Sequence, residues 1–501
     1  MADNVDLLII GGGVNGAGIA RDAAGRGLSV VLCEKDDLAE GTSSRSGKLV
    51  HGGLRYLEYY EFRLVREALI EREVLLNAAP HIIWPMRFVL PHSPLDRPAW
   101  LVRIGLFLYD NLGGRKRLPG TRTLNLAREL EGGPIKDAYT KGFEYSDCWV
   151  DDARLVVLNA VAARENGAEI LPRTRCTSLR PQDGHWIAHL DDSRSNQTRE
   201  IHAKAVVNAA GPWVNDVIGN VAGANSSRSV KLVKGSHIIV QKFWEGEQAY
   251  LVQNHDKRVI FINPYEGDKA LIGTTDIAYE GDPNDVTVDQ SEITYLIDAV
   301  NRYFKTPLRT TDVIEAFSGV RPLFDDGNGN PSAVTRDYVL DLDRSRGAPL
   351  LNIFGGKITT YRKLAEHAVR DLKSVFPRMG SGWTATTPLP GGDIANADFE
   401  TFLGALQDKH PWMPRALVKH YARLYGTNAA LLIGDAAEIA HLGTQFGPLL
   451  FEAELAYLVK NEWASCSADV LKRRTKHGLT VSPSQISKID EWFENDITKT
   501  A

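Results

Sequence analysis

The sequence predicts an α/β protein: a discontinuous Rossmann-like nucleotide-binding domain, a β-rich substrate (cap) domain inserted into it, and a C-terminal helical domain. Three observations predict this. Asp6 to Lys35 reads strand, glycine turn, helix, strand, acid. Strand-like segments KGSHIIV, RVIFINP, ALIGTTD and FSGVRPL fill the stretch from about 231 to 333, with an antiparallel character. A further strand, then Gly355-Gly356-Lys357 and a helix, returns the chain to its first domain. The expected division is 1–80, 147–230 and 334–387 for the nucleotide domain, 81–146 and 231–333 for the cap, and 388–501 for the helical domain, which follows the Pro-Gly-rich Pro388 to Gly392.

In the opening unit, Leu7, Leu8, Ile9 and Ile10 run into G-x-G-x-x-G at Gly11, Gly13 and Gly16. Gly11 permits the sharp turn, Gly13 lets the backbone approach a pyrophosphate, and Gly16 lets helix and strand pack closely. A helix from Ala17 to Arg26 offers unpaired N–H groups and a positive dipole end to phosphate. The second apolar run, Ser29 to Cys33, ends at Glu34, which can accept hydrogen bonds from both ribose hydroxyls of an adenosine. That acid repels a 2′-phosphate, so NADP is disfavoured, and FAD and NAD both remain open.

Composition bounds the rest. A chain of 501 residues implies roughly two to four domains, and 43% apolar with 24% charged residues is ordinary for a globular protein. A net charge of −5 gives no reason to expect nucleic acid. Cys33, Cys148, Cys176 and Cys466 are scattered, without C-x-x-C or a Cys/His cluster, so no metal site is expected and a reducing compartment is. Asp3 and Asp6 precede the first apolar run, unlike a signal peptide. No stretch approaches the ~20 apolar residues of a spanning helix. The expected location is cytoplasmic, or peripheral on a membrane.

Between the opening unit and the cap, residues 37–56 are rich in glycine and hydroxyls and carry Arg45, Lys48, His51 and Arg55. They read as a solvated loop, or as one placed to meet more phosphate or a flavin edge. Phe62 to Ala79 has an amphipathic helical pattern, with Phe62, Val65, Leu69 and Leu76 on one face. Prolines interrupt residues 80–146. Within them Trp100, Ile104, Phe107 and Leu108 share a helical face between Arg97 and Arg115-Lys116-Arg117. That pattern fits an interfacial membrane anchor and equally a helix docked into a core. Asp147 to Ala163 reads as a helix, Glu169 to Leu179 with Trp186 to His189 as a hairpin region, and Ala203 to Pro212 as a buried strand opening into a turn. An interrupted nucleotide domain places a pocket beneath its insertion.

Taken together, GGGVNGAGIARDAAGRGLSVVLCEKDDLAEGTSSRS, KLVHGGLRYLE, GFEYSDCWVDDARL, NAAGPWV, KGSHI, IGTTD, SGVRPL and FGGKITTYRKLAEHA closely resemble the FAD-dependent glycerol-3-phosphate dehydrogenase family, from residue 6 to about 370. The resemblance is nearest to its bacterial aerobic, quinone-linked type. It implies FAD as cofactor, sn-glycerol 3-phosphate as substrate, dihydroxyacetone phosphate as product, and a membrane quinone as electron acceptor on the inner face of the cell membrane. It further implies that the HGGLRY loop, the cap strands and the GGK turn face the isoalloxazine. The residues agree on one point independently: a second glycine pair, Gly355-Gly356, at a helix start suits the extra length of FAD.

Such a reaction needs a hydride path, a base and a grip on the substrate. Arginine suits the phosphate dianion, and Arg55, Arg321 and Arg336 are the candidates, with Tyr56 adding a hydroxyl. His51 and His237 are candidate bases, His51 preferred, and the remaining histidines read as structural or surface. Lys357 suits negative charge on reduced flavin or substrate oxygen, while Thr274, Thr275 and Asp276 shape the wall. For the cofactor, Gly11, Gly13, Gly16 and Glu34 rest on chemistry and resemblance together. Ser43, Ser44, Lys48, Gly211 and Gly356 rest mainly on resemblance. The rival functions are a glycerol-3-phosphate oxidase using oxygen and a non-catalytic flavoprotein. The oligomeric state, monomer or homodimer, stays open.

Overall fold

The computed structural model describes residues 3–93, 97–325 and 337–500. Strand β1 (Asp3–Ile10) pairs in parallel with β2 (Val30–Cys33) on one side and with Thr198–Asn208 on the other. Leu7, Leu8 and Ile9 are fully buried, as a parallel strand covered on both faces requires. This eight-stranded sheet continues through Glu169–Leu171 at one end and through Leu350–Phe354 and Val339–Asp343 at the other. The antiparallel strands Thr174–Gln182 and His185–Asp192 attach beside Thr198–Asn208. Helix α1 (Val14–Gly25) packs on the sheet against the helices Tyr361–Asp371 and Asp152–Glu165.

The second sheet has ten strands and is mainly antiparallel. Ile83–His92 pairs along its whole length with Lys141–Val150, and Val230–Gln241 pairs with Val313–Phe324. The two inserted segments join where Ala249–Gln253 runs parallel to Ile83–His92. Leu49–Val50, from the long loop after β2, adds an edge strand to this sheet. The loop therefore crosses from one sheet to the other and brings its histidine and arginines with it.

Helix α2 (Phe62–Ala78) buries Val65, Leu69 and Leu76. Phe62, at its first position, is instead exposed. Helix α3 (Ala99–Leu112) docks through buried Leu106 and Tyr109, with Ala99, Val102 and Leu112 half-buried beside them. Trp100 and Phe107 are 65% and 61% exposed, and Ile104 and Leu108 lie out with them. The segment is thus a docked helix that keeps an apolar face exposed. The helix expected from Asp147 begins later: Asp147 to Val150 finish a strand paired with Ile83 to Met86. Helix α4 spans Asp152–Glu165, with the Asp151 carboxylate accepting the Arg154 N–H at 3.1 Å. An aspartate in extended conformation is a strong helix start, and it overrides the apolar period before it.

The C-terminal domain packs Phe399–Lys409, Arg415–Tyr425, Glu452–Glu462 and Pro483–Thr500 around Leu417, Val418, Tyr421, Leu455, Leu458 and Ile489. Buried charges dock it to the first domain. The Arg154 guanidinium forms a bidentate pair with Glu462 and also donates to the Leu424 carbonyl at 2.9 Å. Both partners are essentially inaccessible to water. Arg154→Ala leaves Glu462 buried without its cation, at a cost of about 3–5 kcal/mol. The variant is expected to melt well below the parent protein by circular dichroism. An unchanged melting temperature would mean the pair does not hold the domains together.

Candidate active site

A cavity of about 1330 Å³ is lined by residues of both sheets. Gly11, Gly13, Glu34, Ser43, Gly211 and Trp213 stand on its wall, as do His51, Arg55, Tyr56, His237, Arg321 and Lys357.

The glycine turn is shaped by close approach. Gly11 has φ +109°, and a Cβ there would lie 2.6 Å from the Ala209 carbonyl oxygen. A Cβ on Gly16 would lie 1.9 Å from the Gly11 carbonyl oxygen, so Gly16 packs behind the wall rather than on it. Ser43 Oγ accepts the Val14 N–H at 3.0 Å and draws the loop onto the start of α1. Glu34 Oε2 accepts from the Gly12 N–H at 2.6 Å and Oε1 from the Asp36 N–H at 2.9 Å. Burial raises its carboxyl pKa above the ordinary range, and the two backbone N–H groups oppose that rise. Each oxygen keeps a second lone pair for a ribose hydroxyl. Gly211 has φ +56° and open space where a side chain would stand. Beside it, the buried Trp213 Nε1 has no hydrogen-bond partner among the described residues, nor has Asn15 Oδ1. The other end of the Asn15 amide donates to the Gly355 carbonyl at 3.2 Å. A buried polar atom without a partner costs about 1–3 kcal/mol. Such atoms on the wall, with bare glycines between them, fit a long polar ligand.

Around the two histidines the backbone is pinned from behind. The His51 N–H donates to Thr359 Oγ1 at 3.1 Å, and the Gly52 N–H donates to the Tyr109 hydroxyl at 2.7 Å. That hydroxyl donates in turn to Asp147 at 2.8 Å, and Arg72 holds the same carboxylate at 2.6 Å. The His51 ring meets the edge of Phe261. His237 lies flat on Phe317 at 5.1 Å, buried, with no partner for Nδ1 among the described residues. Burial, helped by the charges of Arg321 and Lys48, pulls its pKa down to about 3. Arg321 is ion-paired with Asp276 at 2.8 Å and donates to Thr274 Oγ1 at 2.9 Å. Lys357 Nζ sits 4.0 Å from the centre of the Tyr56 ring. Arg55 donates weakly to the Tyr59 hydroxyl, at 3.4 Å, and its Nε is buried without a partner among the described residues.

Comparison with known proteins gives this geometry its context. Residues 6–362 match the FAD dependent oxidoreductase family, and residues 383–488 match the C-terminal domain of alpha-glycerophosphate oxidase. The aerobic glycerol-3-phosphate dehydrogenase of Escherichia coli (strain K12) is 50% identical over 489 residues, 97% of each chain. The D-erythritol 1-phosphate dehydrogenase of Brucella abortus (strain 2308) is 69% identical over 493 residues, 98% of each chain. The glycerol-3-phosphate dehydrogenase from Bacillus halodurans, solved with FAD, superposes with a TM-score of 0.79 at 29% identity, covering 99% of this chain and 91% of that one. The chain belongs to the FAD-dependent glycerol-3-phosphate dehydrogenase family.

FAD is accordingly the cofactor, in agreement with the orphaned polar atoms and bare glycines of the wall. Gly11, Gly13, Glu34, Ser43, Gly211 and Gly356 are on that wall. Ser44 and Lys48 are not. Lys48 Nζ donates to both Asp152 oxygens at 2.9 Å and to the Ser44 carbonyl at 3.0 Å, so it ties the loop to α4. A buried lysine needs a carboxylate more than a cofactor contact. Arg336 lies outside the described residues. Sequence reasoning passed over Asn15 and Trp213, although both sit inside the quoted motifs. It also passed over Tyr109 and Phe261, which are indistinguishable from core aromatics by pattern. Glu34→Gln removes one charge-assisted acceptor of ribose hydroxyls, worth about 1.5–3 kcal/mol. The variant is expected to hold FAD about 10- to 150-fold more weakly, read as loss of flavin absorbance after gel filtration. Full retention of flavin would remove Glu34 from the cofactor site.

Proposed function

We propose that this protein oxidises a secondary hydroxyl of a short polyol monophosphate at FAD and delivers the electrons to a membrane quinone. The carrying observation is the arginine and lysine set, Arg55, Arg321 and Lys357, beside His51 on the wall of the flavin cavity. FAD, when bound, supplies the hydride acceptor. Arg55 and Arg321, with Tyr56, hold the phosphate through forked N–H donors. Arg336 remains a further candidate from the family resemblance. His51 takes the hydroxyl proton as the hydride leaves. His237, held at a pKa of about 3, is too weak a base at neutral pH and serves as a neutral hydrogen-bonding wall. Lys357 stabilises negative charge on the oxygen that becomes the carbonyl.

Two substrates satisfy this set. The sequence resemblance and the relatives at about 50% identity support sn-glycerol 3-phosphate. The relative at 69% identity supports D-erythritol 1-phosphate, one CHOH longer with the same terminal phosphate, as the better substrate. Anaerobic mixing with each compound is expected to bleach the flavin, with the larger kcat/KM for the four-carbon compound. An unchanged spectrum with both would sink the reading, and a larger kcat/KM for the three-carbon compound would reverse the choice. In the same assay Arg321→Ala is expected to raise KM about 10- to 150-fold, the loss of one charge-assisted contact, with kcat changed less. An unchanged KM would return Arg321 to a structural ion pair.

The acceptor reading is supported by α3. Its exposed Trp100, Leu101, Ile104, Phe107 and Leu108 stand near exposed Tyr59, Tyr60 and Phe62, with Arg97, Arg103 and Lys116 exposed around them. Leu101, Ile104 and Leu108 also line the cavity. Among the described residues no helix is long and apolar enough to cross a membrane. A helix lying in the lipid interface matches this pattern. Replacing Trp100 and Phe107 together with serine is expected to abolish co-sedimentation with anionic lipid vesicles while leaving turnover with a water-soluble quinone analogue. Unchanged sedimentation would place the lipid contact elsewhere. Peroxide production in air at a rate comparable to quinone reduction would favour an oxidase.

A further inference from the structure

We propose that His420, Glu454 and His477 form a zinc-class metal site in the C-terminal domain, remote in function from the flavin cavity and serving to lock that domain. His420 lies on the helix Arg415–Tyr425, Glu454 on Glu452–Glu462, and His477 opens the short helical turn His477–Leu479. One potential ligand atom from each lies within 4.8 Å of the other two. His420 Nε2 is 2.8 Å from Glu454 Oε1 and 3.1 Å from His477 Nε2.

Hydrogen bonding alone serves this arrangement badly. A proton on His420 Nε2 satisfies Glu454 and leaves His477 Nε2 with at best a share of it. A proton on His477 Nε2, donated to His420, turns the His420 lone pair toward a carboxylate oxygen at 2.8 Å. Glu454 is also fully buried, and its Oε2 has no partner among the described residues. A buried carboxylate is costly unless a cation or further donors meet it. One divalent ion satisfies all three groups together.

The donor set names the class of ion. Two imidazoles and a carboxylate suit Zn²⁺ or a neighbouring first-row metal, whereas Mg²⁺ and Ca²⁺ prefer all-oxygen shells. Metal–ligand bonds of about 2.0–2.2 Å in a tetrahedron set ligand atoms roughly 3.3 Å apart. The two pairs that share His420, at 2.8 and 3.1 Å, therefore open by about 0.2–0.8 Å, while Glu454 and His477, within 4.8 Å of each other, take up the rest of the adjustment. Orientation from behind is present too: the Tyr425 hydroxyl donates to Glu454 Oε1 at 2.6 Å. None of the three residues lines the flavin cavity, so the ion would tie segments together rather than react. What it ties matters. Lys476, next to His477, pairs with Asp151 at the start of α4, and Arg473 and Arg474 hold Asp37 on the cofactor loop. No local motif announces the site, because its ligands lie 34 and 57 residues from His420 along the chain.

The test uses untagged, FAD-loaded full-length protein, stripped with a chelator and then titrated with Zn²⁺ against a chromophoric competitor. The expected result is about one tightly held zinc per chain, with a raised melting temperature. His420→Gln and His477→Gln should each weaken binding more than tenfold and lose the thermal shift. No zinc retained against the competitor by the parent protein would overturn the proposal, as would variants that hold zinc and gain stability as it does. Because either variant could fold poorly, X-ray absorption at the zinc edge of the loaded parent protein gives a second reading. Imidazole and oxygen ligands support the site. Sulfur in the shell would move the ion to a cysteine and overturn it.

Discussion

The loop from Glu34 to Tyr56 depends on buried charge. It forms one two-residue strand, Leu49–Val50, and otherwise lacks a ladder of its own. Asp37, three residues past Glu34, is fully buried and held by Arg474 through two bonds of 2.7 and 2.8 Å and by Arg473 at 2.6 Å. Lys48 is held by Asp152 at the start of α4. Buried pairs of this kind add little net stability over an apolar core, but losing one partner strands the other. They therefore fix the path of the loop more than they strengthen the fold. Among the described residues the cavity lining ends at Thr359, yet the C-terminal domain still shapes the site, because its two arginines hold the loop that carries the lining.

The same arrangement recurs at the other end of the loop. Tyr109 projects from the buried side of α3 and accepts the Gly52 N–H, one residue from His51. Burial first, then the neighbouring Asp147 charge, keeps its phenol protonated far above the ordinary range, so it acts as a fixed two-way hydrogen-bond bridge. One short helix thus presents an apolar face outward and pins the histidine loop inward. Movement of α3 against its support would be felt at Gly52 through a single hydroxyl.

What the sequence made legible follows chain distance. The packing of Gly16 on Gly11 and the N–H groups that Glu34 accepts are local, within or next to one βαβ unit where spacing carries the geometry, whereas the close approach of Gly11 to Ala209 is not. The return strand and Gly355-Gly356 were legible because glycines with φ of +78° and +110° interrupt an apolar run before a helix. Lys48 was misread because its partner, Asp152, lies 104 residues away and leaves no period. The start of α4 was misplaced because strand Lys141–Val150 and the helix after it are both continuously buried, so neither alternation nor a helical stripe separates them. At α3 the pattern supported docking and exposure alike, and both hold, on different faces of the same helix.

Arg321 shows how the two scales meet. Read as a ligand from its motif, it is found already paired with Asp276 and hydrogen-bonded to Thr274, 45 and 47 residues earlier in the chain. In the proposed phosphate grip, the carboxylate offsets part of the positive charge that Arg321 offers, which lowers affinity. It also fixes the plane of the guanidinium before substrate arrives, so less side-chain entropy is lost on binding. Arg321 in turn disfavours a proton on His237, which burial already keeps neutral. In the proposed reaction this leaves the cationic end to the dianion and the role of base to the less deeply buried His51.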